Sequence, residues 1–228
     1  MPIKILINGY LGKMGQAAVK AATEASDLEL VACTGRNDNL AQTIQDSGAE
    51  VVLDLTSAES AFKNTETIIK AGAHPVIGTS GLTPDQILNL QKQSAAKKLG
   101  GIIAPNFSIG AILMMHYAEH AARYFKEADI IEMHHPDKKD APSGTARKTA
   151  QLMQREVPIH SIRLPGVVAE QSVIFGAPGE TLTIRHSSID RLCFMPGVLL
   201  ACRKVKSLDS LLYGLDTLII HGYENTSA

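Results

Sequence analysis

From Glu132 to Thr145 the chain reads Glu-Met-His-His-Pro-Asp-Lys-Lys-Asp-Ala-Pro-Ser-Gly-Thr, which gathers imidazoles, ammonium groups and a serine into one short stretch. Histidine exchanges protons near neutral pH, and a lysine beside an anionic substrate can donate a proton or hold a carboxylate. Adjacent strand residues point to opposite faces, so one of His134 and His135 is expected to face substrate while the other orients it or packs. Ser143-Gly144-Thr145, just after Pro142, reads as an exposed helix N-terminus whose backbone N–H groups bind an anion. With Lys138 these residues describe a site for a small carboxylate. A zinc site is the competing reading, but two histidines followed by two lysines lack usual ligand spacing and no cysteine is near. Arg191, after His186-Ser187-Ser188, offers either a second carboxylate contact or a surface salt bridge.

A second constellation lies near the start. Gly9-Tyr10-Leu11-Gly12-Lys13-Met14-Gly15 follows the apolar run Ile3 to Asn8 and opens a helical pattern. Glycines there permit a tight turn and close backbone approach, so a pyrophosphate can rest on free N–H groups at the helix's positive end. The first glycine stands one position early relative to the usual Gly-x-Gly-x-x-Gly spacing. About 20 residues further on, where an NAD enzyme often places a carboxylate for the ribose hydroxyls, the chain has Cys33-Thr34-Gly35-Arg36. Arg36 is suited to a 2′-phosphate, so NADPH is expected ahead of NADH. Gly78-Thr79-Ser80-Gly81 and Ala104-Pro105-Asn106-Phe107 end later strands, and are expected to line the nicotinamide end, with Phe107 flanking the ring.

These residues need a scaffold, and the hydrophobic pattern predicts one. Short β-branched runs at Ile3 to Asn8, Leu28 to Thr34, Val51 to Leu55, Pro75 to Gly78 and Gly101 to Ala104 alternate with helical stretches at Gly12 to Ala25, Ser57 to Ala71 and Thr83 to Lys98. The expectation is an α/β, Rossmann-like, doubly wound sheet of about five parallel strands over residues 1–105. After Pro105 a long apolar helix near Ser108 to Lys126, a strand near Asp129 to His134, a helix from about Ser143, and strands at Val167 to Phe175 and Glu180 to His186 predict a second, smaller α+β domain over 106–191. It holds the Glu132 to Thr145 stretch and so would bind substrate. A helical stretch at Leu192 to Lys204 and the run Leu211 to Ile220 are expected to pack back on the first domain, so 192–228 belongs with it.

Composition narrows the function classes. The 228 residues are 45% hydrophobic, and 22 basic against 23 acidic residues leave a formal net charge of -1, which gives no basic field for nucleic acid. Three cysteines at wide spacing suggest no disulfide framework, and the short apolar start is interrupted by Lys4. A cytoplasmic protein without membrane insertion or metal is expected.

Taken together, Gly9 to Gly15, Val76 to Gly81, Ala104 to Ser108 and above all Glu132 to Thr145 resemble the 4-hydroxy-tetrahydrodipicolinate reductase (dihydrodipicolinate reductase) family of bacterial lysine and diaminopimelate synthesis, over nearly the whole chain. The resemblance implies His134 as the acid/base histidine, Lys138 as proton donor, and His135, Gly144, Thr145 and Arg191 as substrate contacts. It further implies hydride delivery from NAD(P)H to a cyclic imine dicarboxylate, and a homotetramer assembled through the second domain. Three departures stand out. Gly35 occupies the place of the family's acid after the second strand, Ala169-Glu170-Gln171 the place of its Gly-x-His, and 228 residues is short for the family. An amino-acid dehydrogenase would share the glycine turn without needing His134 to Thr145. A non-catalytic NADPH-binding regulator is the alternative from another class.

Overall fold

The structure, a computed structural model, describes residues 1–79 and 81–221. In chain order it contains β1 (Ile3–Asn8), α1 (Lys13–Glu24), β2 (Leu28–Thr34), α2 (Leu40–Ser47), β3 (Val51–Asp54), α3 (Ala58–Lys70), β4 (His74–Ile77), α4 (Pro84–Ala96) and β5 (Gly101–Ile103). Next come α5 (Ile109–Ala121), β6 (Glu127–His134), α6 (Gly144–Leu152), β7 (Ile159–Arg163), β8 (Ala169–Ala177) and β9 (Glu180–Ser188), then α7 (Met195–Lys204) and β10 (Leu211–Tyr213). Two compact units result: Met1–Phe107 with the segment from Phe194 onward, and Ser108–Cys193. Among the described residues no helix is long and apolar enough to cross a membrane.

The first unit is a parallel sheet in the order β2-β1-β3-β4-β5-β10. Two of its inner strands, Val-Val-Leu-Asp in β3 and Gly-Ile-Ile in β5, are buried throughout, as strands must be when helices cover both sheet faces. Local chemistry starts and stops the crossovers. Thr83 and Gln86 form a capping box at α4 with Pro84 in the first turn. Asn39 caps α2, and Gly48, at φ 63°, ends it. The sheet has six strands rather than the five expected in the first half, because Leu211–Tyr213 pairs in parallel with Gly101–Ile103. The bidentate Arg203–Asp27 pair, 2.7 and 2.8 Å, and the Lys206–Glu50 pair tie the returning segment to the first half of the same unit.

The second unit is a four-stranded mixed sheet, β7-β6-β8-β9, with β7 parallel and β8 antiparallel to β6. Strand alternation sends Ile130, Val173 and Phe175 to one face, where they pack on Ala118, Ala121, Ala146 and Met153 from α5 and from α6 and its C-terminal end. Ile131, Met133, Ile162 and Ile174 alternate to the other face. β7, absent from the sequence expectation, is short and mostly exposed, Ile-His-Ser-Ile-Arg, with no full apolar alternation to announce it.

Candidate active site

In the first unit the chain leaves β1 at the point where the strand order reverses, the place where open α/β sheets bind ligands. Gly9 has φ +87°, and a Cβ there would stand 2.9 Å from the Leu55 carbonyl oxygen. A Cβ on Gly15 would run into the Gly9 carbonyl. The turn is closed by Gly9 N–H donating to Thr34 O at 2.8 Å and Gly12 N–H donating to Gly9 O at 3.1 Å. Helix α1 then begins at Lys13 with no side chain capping it at Gly12, which leaves its first-turn N–H groups to a ligand or water. Leu11, Gly12 and Lys13 are exposed, Tyr10 and Met14 half-buried.

A buried polar net stiffens this edge, and nothing in the spacing of its members announced it. Asp54 accepts from Asn8 Nδ2 at 2.9 Å, from Asn64 Nδ2 at 2.7 Å and from the Thr56 hydroxyl at 2.5 Å, while the Thr34 hydroxyl donates to Asn8 Oδ1 at 3.0 Å. The ends of β1, β2 and β3 are thereby joined. Past β2, Gly35 packs within reach of the Tyr10 ring, and its N–H donates to Asp38 Oδ2 at 2.7 Å. The sequence reading found no acid at Cys33 to Arg36; the structure brings Asp38 back onto that turn. Arg36 is exposed beside it.

At the end of β4, a Cβ on Gly78 would lie 2.5 Å from Leu55 and 2.8 Å from the Phe107 ring. Phe107 is 3% exposed, packed behind Gly78 rather than standing open. Ala104 is buried and donates its N–H to Ile77 O, Pro105 is exposed and Asn106 half-buried. Thr79 is buried, and its hydroxyl has no partner among the described residues. Ser80 lies outside the described residues. A backbone cradle that excludes side chains at positions 9, 15 and 78, an uncapped helix start and an unpartnered buried hydroxyl fit a dinucleotide.

In the second unit the residues singled out in the sequence lie on three pieces of chain. Glu132 and His134, two apart on β6, share a face, and the His134 Nδ1 to Glu132 Oε2 distance is 2.6 Å. Glu132 is wholly buried; burial opposes its ionisation, but hydrogen bonds from Arg163, Ser161 and His134 overcome it and hold the carboxyl at about 2. With Glu132 ionised, Nδ1 carries the proton and Nε2 is the nitrogen available for exchange. Burial pushes His134 below the ordinary histidine value, against the pull of Glu132 and with the help of Lys138 and Arg163. His135 turns the other way, half-exposed, 3.9 Å from Asp137.

The second piece is the loop. Lys138 Nζ sits 2.7 Å from Asp140 Oδ1, and this pairing lowers the Asp140 pKa. The third is the start of α6, where Ser143 Oγ accepts from Ala146 N–H at 3.1 Å and Gly144 and Thr145 form the first turn. Ser143 itself is buried, contrary to the exposed start expected; its own N–H donates to Glu132 Oε1 at 3.2 Å. Gln171, at the departure from the family pattern, is buried opposite Glu132 in the β6–β8 register and donates to Thr149 Oγ1 at 2.7 Å. Arg191 is exposed in a short 3-10 turn, Arg191–Phe194, outside this hydrogen-bonded cluster. Among the described residues no three His, Cys, Asp or Glu side chains group as metal ligands. The roles of Glu132 and Arg163 escaped the sequence reading, although the i, i+2 spacing of Glu132 and His134 on a strand was a signal for the first.

Comparison with known proteins divides the chain once, after Phe107, so that the second match takes in the returning segment as well as the second unit. A family described as dihydrodipicolinate reductase, N-terminus, matches residues 3–107, and one described as dihydrodipicolinate reductase, C-terminus, matches residues 110–219. A 4-hydroxy-tetrahydrodipicolinate reductase of Coxiella burnetii (strain Dugway 5J108-111) is 55% identical over 96% of this chain and 100% of its own length. One of Legionella pneumophila (strain Lens) is 49% identical with the same coverage. Among solved structures, a dipicolinate-bound dihydrodipicolinate reductase from Paenisporosarcina sp. TG-14 superposes with a TM-score of 0.89 at 38% identity, over 96% of this chain and 100% of that one. An amine dehydrogenase from Mycobacterium smegmatis, TM-score 0.71 at 8% identity over 95% of this chain and 96% of that one, shares the fold.

Proposed function

Because the chain belongs to the dihydrodipicolinate reductase family, we propose that it reduces 4-hydroxy-tetrahydrodipicolinate, by way of dihydrodipicolinate, to tetrahydrodipicolinate with NAD(P)H, a step of lysine and diaminopimelate biosynthesis. The observation that carries the chemistry is the His134–Glu132 pair set beside Lys138 and the first turn of α6. The family match favours this enzyme over the non-catalytic regulator.

Gly9 to Met14, with Arg36, Gly78, Thr79, Ser80 and the Ala104 to Phe107 turn, would hold the nucleotide, whose reduced nicotinamide supplies a hydride. The Lys138 ammonium balances one substrate carboxylate and gives a proton towards the carbon adjacent to the reduced centre. The Gly144 and Thr145 N–H groups at the start of α6 receive a carboxylate, since backbone donors and the helix dipole favour an anion there. His134 exchanges a proton through Nε2 while Glu132 holds Nδ1–H, so that the ring neither rotates nor changes tautomer. His135 and Arg191 supply further substrate contacts. Loss of water from the hydroxylated ring followed by gain of hydride and proton gives the tetrahydro product.

NADPH is the preferred donor in this reading. Gly35 offers no carboxylate to a ribose, Asp38 is engaged by the Gly35 N–H, and Arg36 is exposed to meet a 2′-phosphate. Assembly as a homotetramer is supported by the face of the β7-β6-β8-β9 sheet that bears Ile131, Met133, Ile162 and Ile174 and that α5 and α6 leave uncovered. The direct test is nicotinamide oxidation at 340 nm with substrate made in situ by condensing pyruvate with aspartate semialdehyde. Saturable oxidation, faster with NADPH, is expected; no turnover with either nucleotide in a folded protein that binds NADPH would return the reading to a regulator.

A further inference from the structure

β7 ends at Arg163, which stands opposite His134 in the parallel β6–β7 register. Its guanidinium takes Glu132 in a fork, Nη1 to Oε2 at 3.0 Å and Nη2 to Oε1 at 2.9 Å. The same group reaches the next loop: Nη2 donates to the Asp140 carbonyl at 2.7 Å and Nε to the Lys138 carbonyl at 3.3 Å. Nη1 also donates to the Ile162 carbonyl at 2.8 Å. Every guanidinium nitrogen is therefore engaged. Glu132, held by this fork, bonds His134 through one oxygen and the Ser143 N–H at the head of α6 through the other.

We propose that Arg163 is a positioning residue, the single joint that sets His134, the Lys138 loop and the α6 N-terminus in register with one another. The proposal rests on the assignment of His134 and Lys138 as the proton-handling groups. Three segments distant in sequence, β6, the 135–142 loop and α6, carry the proposed substrate contacts, and each is fastened to the same charge pair. Only a planar fork of five donors can serve two carboxylate oxygens and three carbonyls at once; a lysine ammonium cannot. Stability alone is a poor account of the pair, because a buried ion pair commonly contributes little net free energy relative to apolar packing. A carboxylate without its guanidinium would leave both the His134 ring and the Lys138 backbone free to shift, and a displacement of about 1 Å at reacting groups costs on the order of 10²-fold in rate.

The variants Arg163→Met, Arg163→Lys and Glu132→Gln, made in the full chain, separate geometry from charge. Readouts are kcat and KM, NADPH binding by fluorescence, thermal melting and the His134 imidazole titration by NMR. The charged groups that act on that ring are Glu132 on its own strand, Arg163 from β7, and Lys138 from the loop, itself paired with Asp140. Arg163→Met is expected to lower kcat/KM about 10²-fold with NADPH binding unchanged, and to move the His134 titration upward by removing a cation. Glu132→Gln moves it downward by removing an anion. Arg163→Lys recovers the titration but not the turnover. Wild-type turnover in Arg163→Met, or upward movement of His134 in both Arg163→Met and Glu132→Gln, as local loosening would give, overturns the proposal. Full activity of His134→Gln would remove the assignment beneath it; an inactive His134→Gln beside an active Arg163→Met removes only the role of Arg163.

Discussion

The Lys138 ammonium, 2.7 Å from Asp140, donates one proton to that carboxylate and has two more to offer an anion. Lys138→Ala is therefore expected to cut kcat by roughly 10² to 10⁴, the range for a lost proton-transfer group, with NADPH affinity nearly unchanged; steady-state kinetics and nucleotide titration check both halves. Arg36→Ala should weaken NADPH more than NADH, because only NADPH presents a 2′-phosphate; equal losses in the two dissociation constants would reject that contact. Both residues were singled out in the sequence by type and position. Glu132 was less so: its letter stands in the sequence, but that it is buried and paired with an arginine 31 residues away depends on β7 lying beside β6.

Elements decide how such groups respond to pH and to small changes of shape. Glu132 is depressed to about 2 in the folded chain, below its ordinary 4.5. Its contribution is fully present above about 4.5 and is lost as pH falls towards 2, a difference on the order of 3 kcal/mol if its partners stay in place. Acid unfolding followed by circular dichroism should accordingly be steeper between those values for the wild type than for Glu132→Gln. At the other end of the chain, Gly15 is where α1 meets the β1 turn, and a methyl group there meets the Gly9 carbonyl. Gly15→Ala is expected to push α1 off the turn and weaken NADPH binding by more than about tenfold, or about 1.4 kcal/mol, measured by calorimetry. The glycine spacing displayed this element in the sequence; helix α2 was passed over although Asn39 and Gly48, its cap and stop, were there to be read.

At the scale of the whole molecule the chain visits one unit, builds the second and returns. The return is sealed by β10 at the sheet edge beside β5 and by the Arg203–Asp27 and Lys206–Glu50 pairs. Assembly is the remaining level. If the uncovered sheet face of the second unit joins copies, Ile174→Asp places a charge in that face and should convert a particle of four 24.4 kDa chains into smaller species. Light scattering coupled to size exclusion measures this, with NADPH binding as the control for folding.

Periodicity and punctuation by themselves determined the strands of the first half, three of its four crossover helices and the glycine turn, and marked out the stretch from Glu132 to Thr145, because these depend on neighbours within one or two turns of chain. Tertiary structure decided what depends on residues far apart in sequence. It brought β10 back to the sheet, joined Asn8, Thr34 and Asp54 in one net, and set Arg163 against Glu132. Burial makes the last of these matter: a carboxylate shut away from water must find a cation and hydrogen-bond donors, and only the folded chain can say which.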